Sequence, residues 1–170
     1  MALVIGVDPG LLGCGVAVID GTEIKKIFSL TTEAYRMEGR RKIERPTQER
    51  IAEMIGYIAP IIEPHPGQLP DIVVVEVSKS TFQSVAGGGG LASIISTITL
   101  GGAVYGYAKG RGCRAELITA SNWMKGAQHL RHDEARRLYS GYPKRTNTHT
   151  RDAISIADYG IRYILGGLRK

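Results

Sequence analysis

The feature that most limits this chain is an apolar run that stops at an acid: residues 3–7, LVIGV, followed by Asp8. Five consecutive residues without a polar side chain have no face to turn to water, so they predict an interior strand covered on both sides. The pattern returns at residues 72–75, closed by Glu76. After Asp8, the turn Pro9, Gly10, Leu11, Leu12, Gly13 leads into two runs, 14–19 and 23–30, on either side of Asp20 and Gly21. An Asp-Gly pair between such runs is the strongest short hairpin signal, so three antiparallel strands open the chain. A charged connection follows, then a helix begun by Pro46, with Ile51, Met54, Ile55 and Ile58 on one face. Pro60, Pro64, Pro66 and Pro70 predict an extended loop before the strand at 72. A helix over 91–108, a strand over 114–118, a short helix over 133–139 and a last helix over 148–165 complete the reading. The order βββαβαβαα predicts one α/β domain, residues 1–170, with a mixed five-stranded sheet flanked by helices. Three of its strands are antiparallel and two parallel.

No side chain between residues 80 and 108 is charged, but seven glycines and many serines and threonines make the stretch too polar for lipid. No membrane partner is expected. Two cysteines, Cys14 and Cys113, and an opening MALVIGVD without a charged leader argue against secretion and a disulfide framework. The expected location is intracellular and reducing: cytoplasm or nucleoid, or an organelle if a transit peptide has been removed. Charge is uneven, with 9 basic and 11 acidic side chains in residues 1–108, net −2, and 13 and 5 in residues 109–170, net +8. A polyanion such as nucleic acid is drawn to such a segment by phosphate neutralisation, although a solvated charged surface gives the same count.

The chemistry gathers at the ends of three elements. Asp8 and Glu76 both close apolar strands, and on neighbouring strands their like charges are costly unless a cation lies between them. The last helix carries an apolar stripe of Ala153, Ile156, Ala157, Gly160, Ile161, Ile164 and Leu165, and extending it backwards reaches Asp152 and His149. Their i, i+3 spacing lets both side chains aim at one point, as metal ligands on a helix do. Either residue alone also suits a helix cap or a favourable charge near a helix N-terminus. Together, Asp8, Glu76, His149 and Asp152 point to a metal site. An oxygen-rich set selects Mg²⁺ or Mn²⁺, and no Cys/His spacing suggests zinc.

In order, VIGVDPGLLGCGVAVID, IVVVE and HTRDAISIA resemble the three-part signature of RuvC-type Holliday junction resolvases, in the ribonuclease H-like superfamily. ELITASNWMKGA resembles the strand and basic helix start of the phage-type and organelle-type branch. The resemblance covers nearly the whole chain. It implies a ribonuclease H-like fold, a homodimer, four-way junction DNA as partner, and a metal-dependent, structure-selective endonuclease that resolves junctions by paired phosphodiester hydrolysis. It further implies two Mg²⁺ per active site, with Mn²⁺ accepted. Asp8 would bridge the ions and Glu76 and Asp152 hold one each, while His149, where many members carry an aspartate, would be a ligand or a base positioning water. Lys125, Arg131, Lys144, Arg145 and Arg151 lie in segments leading to that site and are the expected phosphate contacts. Bacterial members place an aromatic three residues after the glutamate to probe junction bases. Here Lys79 stands there and the nearest aromatic is Phe82, so both are expected to touch DNA.

The uncharged helix shows one stripe of Leu91, Ile94, Ile95 and Ile98 and a second face of Ala92, Ser96, Thr99, Ala103 and Gly106. Two such faces need two partners: the chain's own sheet, and either a second subunit or the chain's last helix. Rival functions are a ribonuclease H-like nuclease acting on RNA–DNA hybrids or other branched DNA, and an actin-like ATP-binding domain, whose phosphate loop the D-P-G turn is similar to. The latter needs two such domains.

Overall fold

A computed structural model describes residues 2–77, 91–126 and 132–166, with the backbone alone at 91–93, 125, 126, 132 and 133. Strands β1 (Leu3–Asp8), β2 (Cys14–Asp20) and β3 (Glu23–Leu30) form the expected antiparallel set. Strands β6 (Ile72–Val77) and β7 (Ala115–Thr119) add in parallel, giving the order β3-β2-β1-β6-β7. This is the mixed five-stranded sheet read from the sequence, with β1 and β6 as neighbours in its middle.

Alternation along the central strands assigns their side chains to two layers. Ile5, Val7, Val73 and Val75 pack with Met54, Ile58 and Ile62 of α1 (Thr47–Ile62) and with Leu100, Val104 and Ala108 of α2 (Leu91–Gly110). Val4, Ile72 and Val74 pack on the opposite side, with Ala153, Ile156, Ala157 and Ile161, contributed by α5 (Thr148–Tyr159) and the π-helical turn Gly160–Ile164 that continues it. Trp123 of α3 (Ala120–Gly126) joins this second layer, as does Tyr139, just after α4 (His132–Leu138).

Helix α5 lies unusually close to the sheet because the strands beneath it carry glycine. A Cβ at Gly6 would collide with the carbonyl oxygen of Ala153, and one at Gly15 with that of His149. Further along the same helix, Asp158 is fully buried, accepts from the Tyr139 hydroxyl (2.6 Å) and from Nε of Arg162 (2.8 Å), and so ties α5 to the loop after α4.

Three expectations need correction. The charged connection contains a two-stranded hairpin, β4 (Tyr35–Glu38) and β5 (Arg41–Glu44), turning at Gly39 with φ 61°. Pro60 does not begin the loop but sits in the last turn of α1, where only two residues remain to lose from the helix. On α2 the residues facing the sheet are Leu100, Val104 and Ala108, while Ile95 and Ile98 are 53% and 37% exposed. The chain's last helix cannot cover them, since α5 occupies the other side of the sheet.

Candidate active site

Strand register brings the first two acids together. Val7 pairs with Val75 in the parallel β1–β6 ladder, so the next residues, Asp8 and Glu76, lie side by side at the ends of adjacent strands, with backbones on the order of 5 Å apart. Their even positions match those of Val4, Ile72 and Val74, so both face α5. That helix starts with a capping box: the Asn147 side chain accepts from the Thr150 N–H, and the Thr150 hydroxyl accepts from the Asn147 N–H. The cap is thereby supplied without His149, whose ring is instead turned to the sheet. Its Nδ1 lies 2.7 Å from Oδ2 of Asp8. His149 is not inward in the sense expected from the stripe, for its side chain remains 47% exposed, against 16% for Asp8. The imidazole lies over Gly13, where an added Cβ would come within 2.6 Å of Nε2. Asp152, one turn further on, is half-buried.

Burial is the main influence on all three carboxyls. It raises Asp8, opposed by the hydrogen bond and charge of His149. It raises Glu76 to about 7, opposed by a hydrogen bond from Trp123 and reinforced by the charges of Asp8 and Asp152. It raises Asp152, with the charge of Asp8 adding to the effect and Arg151 and His149 opposing it. Asp8 therefore makes both of the other acids harder to ionise, and Asp152 adds to the effect on Glu76. Among the described residues no three of these groups converge closely enough to hold one ion jointly. One oxygen of Asp8 is turned to His149 and one of Glu76 to Trp123. The donor chemistry fits a hard divalent cation, because partly desolvated carboxylates that repel one another are relieved either by a proton or by such an ion.

The expected phosphate contacts divide. Lys144 and Arg145 are exposed in the loop before α5. Lys144 lines a cavity of about 370 Å³ with Arg136 and Tyr142, whose guanidinium and ring are 5.8 Å apart. Arg145 lines an adjoining cleft of about 310 Å³ with Ser29, Asn147 and Thr150, and the two spaces share Pro143. A basic channel thus runs toward the start of α5. Arg151 is half-buried and donates to the Thr148 hydroxyl, 3.2 Å away. Lys79, Phe82 and Arg131 lie outside the described residues, as do the side chain of Lys125 and the 87–90 glycine run.

Sequence reasoning did not single out Arg136 or Tyr142, and it noticed Trp123 only through the resemblance. The parallel pairing of Glu76 with Ile118 was the available signal for Trp123, because it sets the residues after β7 beside Glu76. A cavity of about 570 Å³ between β3 and α1, lined by Phe28, Leu30, Tyr57 and Ile61, carries no carboxylate and lies on the far side of the sheet from the acids.

No protein-family model and no curated protein matches the sequence. Solved structures do match in fold. The chain is similar to Thermus thermophilus RuvC in complex with a Holliday junction substrate, at 18% identity and TM-score 0.68 over 100% of this chain and 99% of that one. A second Thermus thermophilus RuvC structure matches at 18% identity and TM-score 0.66, covering 97% of each chain. The yeast mitochondrial Holliday junction resolvase Ydc2 matches at 14% identity and TM-score 0.58, over 94% of this chain and 78% of its own. The chain shares the fold of these structures, a ribonuclease H-like fold.

Proposed function

We propose that this chain is a divalent-metal-dependent endonuclease that resolves four-way DNA junctions. The observation that carries the reading is the gathering of Asp8, Glu76 and Asp152 at one end of a RuvC-type sheet, each raised by burial and all but Asp8 also by the charge of a neighbouring acid. Three such acids in a catalytic fold are costly to folding, and a role in binding cations explains their presence. The acids would hold Mg²⁺ or Mn²⁺, Asp8 from the centre and Glu76 and Asp152 from either side. Divalent cations bound there, two in number by the family resemblance, supply the Lewis acidity that phosphodiester hydrolysis requires.

The chain's own groups do the rest. His149 orients Asp8 through Nδ1, which leaves Nε2 as the ring atom able to hold or accept a proton. Lys144 and Arg145, with Arg136 in the adjoining cavity, line the channel along which a phosphate backbone would approach. Lys125, Arg131 and Arg151 are further phosphate contacts, and Lys79 and Phe82 the groups that meet the junction centre. Two symmetric cuts require two sites, and the exposed Ile95 and Ile98 on α2 suit the contact of a homodimer.

The test is cleavage of labelled four-way junction, duplex, flap and RNA–DNA hybrid side by side with Mg²⁺. Paired cuts in the junction, with the other substrates left largely intact, are expected. Preferential cutting of the hybrid would make the chain a ribonuclease H instead.

A further inference from the structure

We propose that Trp123 is a positioning residue for Glu76, fixing which carboxylate oxygen is offered to a cation, and that the chain's single tryptophan is in consequence a built-in optical reporter of the site. The inference rests on the metal-site reading above and concerns a residue with no part in it so far. An indole N–H can only donate, and a buried one needs an acceptor. Trp123 is 6% exposed, and its Nε1 donates to a side chain: the acceptor is Oε2 of Glu76, 2.7 Å away and 47 positions earlier in the chain.

The indole is held from both ends. Its helix begins directly after β7, and the corner between them is laced by Asn122, whose Oδ1 accepts from the Thr119 N–H (3.0 Å) and the Thr119 hydroxyl (2.6 Å). Thr119 in turn pairs with Val77, the residue after Glu76. The ring itself is packed in the apolar layer that contains Ile118 and Ile154. Neither the donor nor the strand bearing the acceptor is free to swing, so Glu76 has Oε2 committed and Oε1 left to turn toward Asp8 and Asp152. A carboxylate oriented in this way binds a cation with less rotamer freedom to lose. Loss of such a supporting hydrogen bond typically weakens metal affinity about 10–100-fold.

The experiment uses the full chain without DNA. Mn²⁺ binding is followed by the electron paramagnetic resonance signal of the free ion in wild type, W123F, E76Q and D8N, with thermal unfolding recorded for each. Phenylalanine keeps an aromatic ring in the layer but removes the donor together with the five-membered ring, so the thermal unfolding of W123F reads the lost packing separately from the lost donor. W123F should bind Mn²⁺ about 10-fold more weakly or worse. A second measurement needs no tryptophan variant: titration of wild type with Mg²⁺ should change tryptophan emission saturably, and E76Q should abolish the change. If W123F binds Mn²⁺ as wild type does while E76Q binds it poorly, Trp123 merely fills space and the positioning role is overturned, although the metal site stands. Emission that ignores Mg²⁺ in a wild type that binds Mn²⁺ through Glu76 overturns it equally. If E76Q and D8N both bind Mn²⁺ like wild type, the metal-site reading fails, and the role of Trp123 falls with it.

Discussion

Asp8 acts on three neighbours, sharing a hydrogen bond with His149 on one oxygen while its charge is felt by Glu76 and Asp152. Asp8→Asn, Glu76→Gln and Asp152→Asn preserve shape and remove charge, so each should cut junction cleavage by orders of magnitude while junction binding, followed by gel shift in Ca²⁺, persists or tightens. Retained cleavage in any two would undo the assignment. His149 allows a finer test. Imidazole is accepted more readily by Mn²⁺ than by Mg²⁺, so wild type should be at least as active with Mn²⁺. His149→Asp supplies a hard anionic donor, and should keep activity and shift the preference toward Mg²⁺. His149→Ala removes both the donor and the partner of Asp8, and should lose about 10–100-fold in rate. Wild-type rates for His149→Ala in both metals would leave the residue with no role at the site.

Which parts of the molecule were legible in the sequence depends on whether an element shows a polar and an apolar side. The strands at 3–8 and 72–77 declare themselves because burial on two faces leaves unbroken apolar runs, and their terminal acids stand out against them. The hairpin at 35–44 has almost every residue exposed and so shows no alternation to read. Helix α2 carries no charge before Lys109 in its last turn, so its composition cannot choose a face, and Leu100, Val104 and Ala108 were passed over for Ile94, Ile95 and Ile98. The link from Trp123 to Glu76 joins residues far apart in the chain, and only the pairing of β6 with β7 reveals it. Two predictions belong at this scale. Gly6→Ala sets a methyl against the Ala153 carbonyl and should destabilise the fold by about 1–3 kcal/mol or more, read as a lower urea midpoint. Glu63, at the end of α1, accepts two bonds from Arg111, just after α2, and one from the Gly67 N–H, and these hold its carboxyl below the usual range. A carboxyl lowered on folding contributes stability above its unfolded value of about 4.3, and that contribution disappears as pH falls through the folded value. Glu63→Gln should therefore lower the urea midpoint at pH 7, with the two proteins converging below about pH 4. A constant gap at all pH values would show that the clamp does not depend on charge.

The whole molecule is electrostatically lopsided, net −2 over residues 1–108 and net +8 over residues 109–170, and the described part of that basic third includes the channel beside α5. On the proposed reading this is where phosphates are neutralised. Log affinity for junction DNA should fall with log salt, by about 0.9 per contact, and Lys144→Ala with Arg145→Ala should flatten the slope by about 2. Anisotropy titrations across a salt series in Ca²⁺ measure it, and an unchanged slope would move the binding face elsewhere. The division of the acids between layers reaches further than binding. Asp8 and Glu76 belong to the sheet, whereas His149 and Asp152 arrive on a helix that follows every sheet strand in the chain and can settle only where glycines make room. During synthesis the sheet acids leave the ribosome well before their partners. On the proposed reading, a blade whose two halves are forged so far apart has no edge until the last helix closes, and a half-made or truncated copy would not cut.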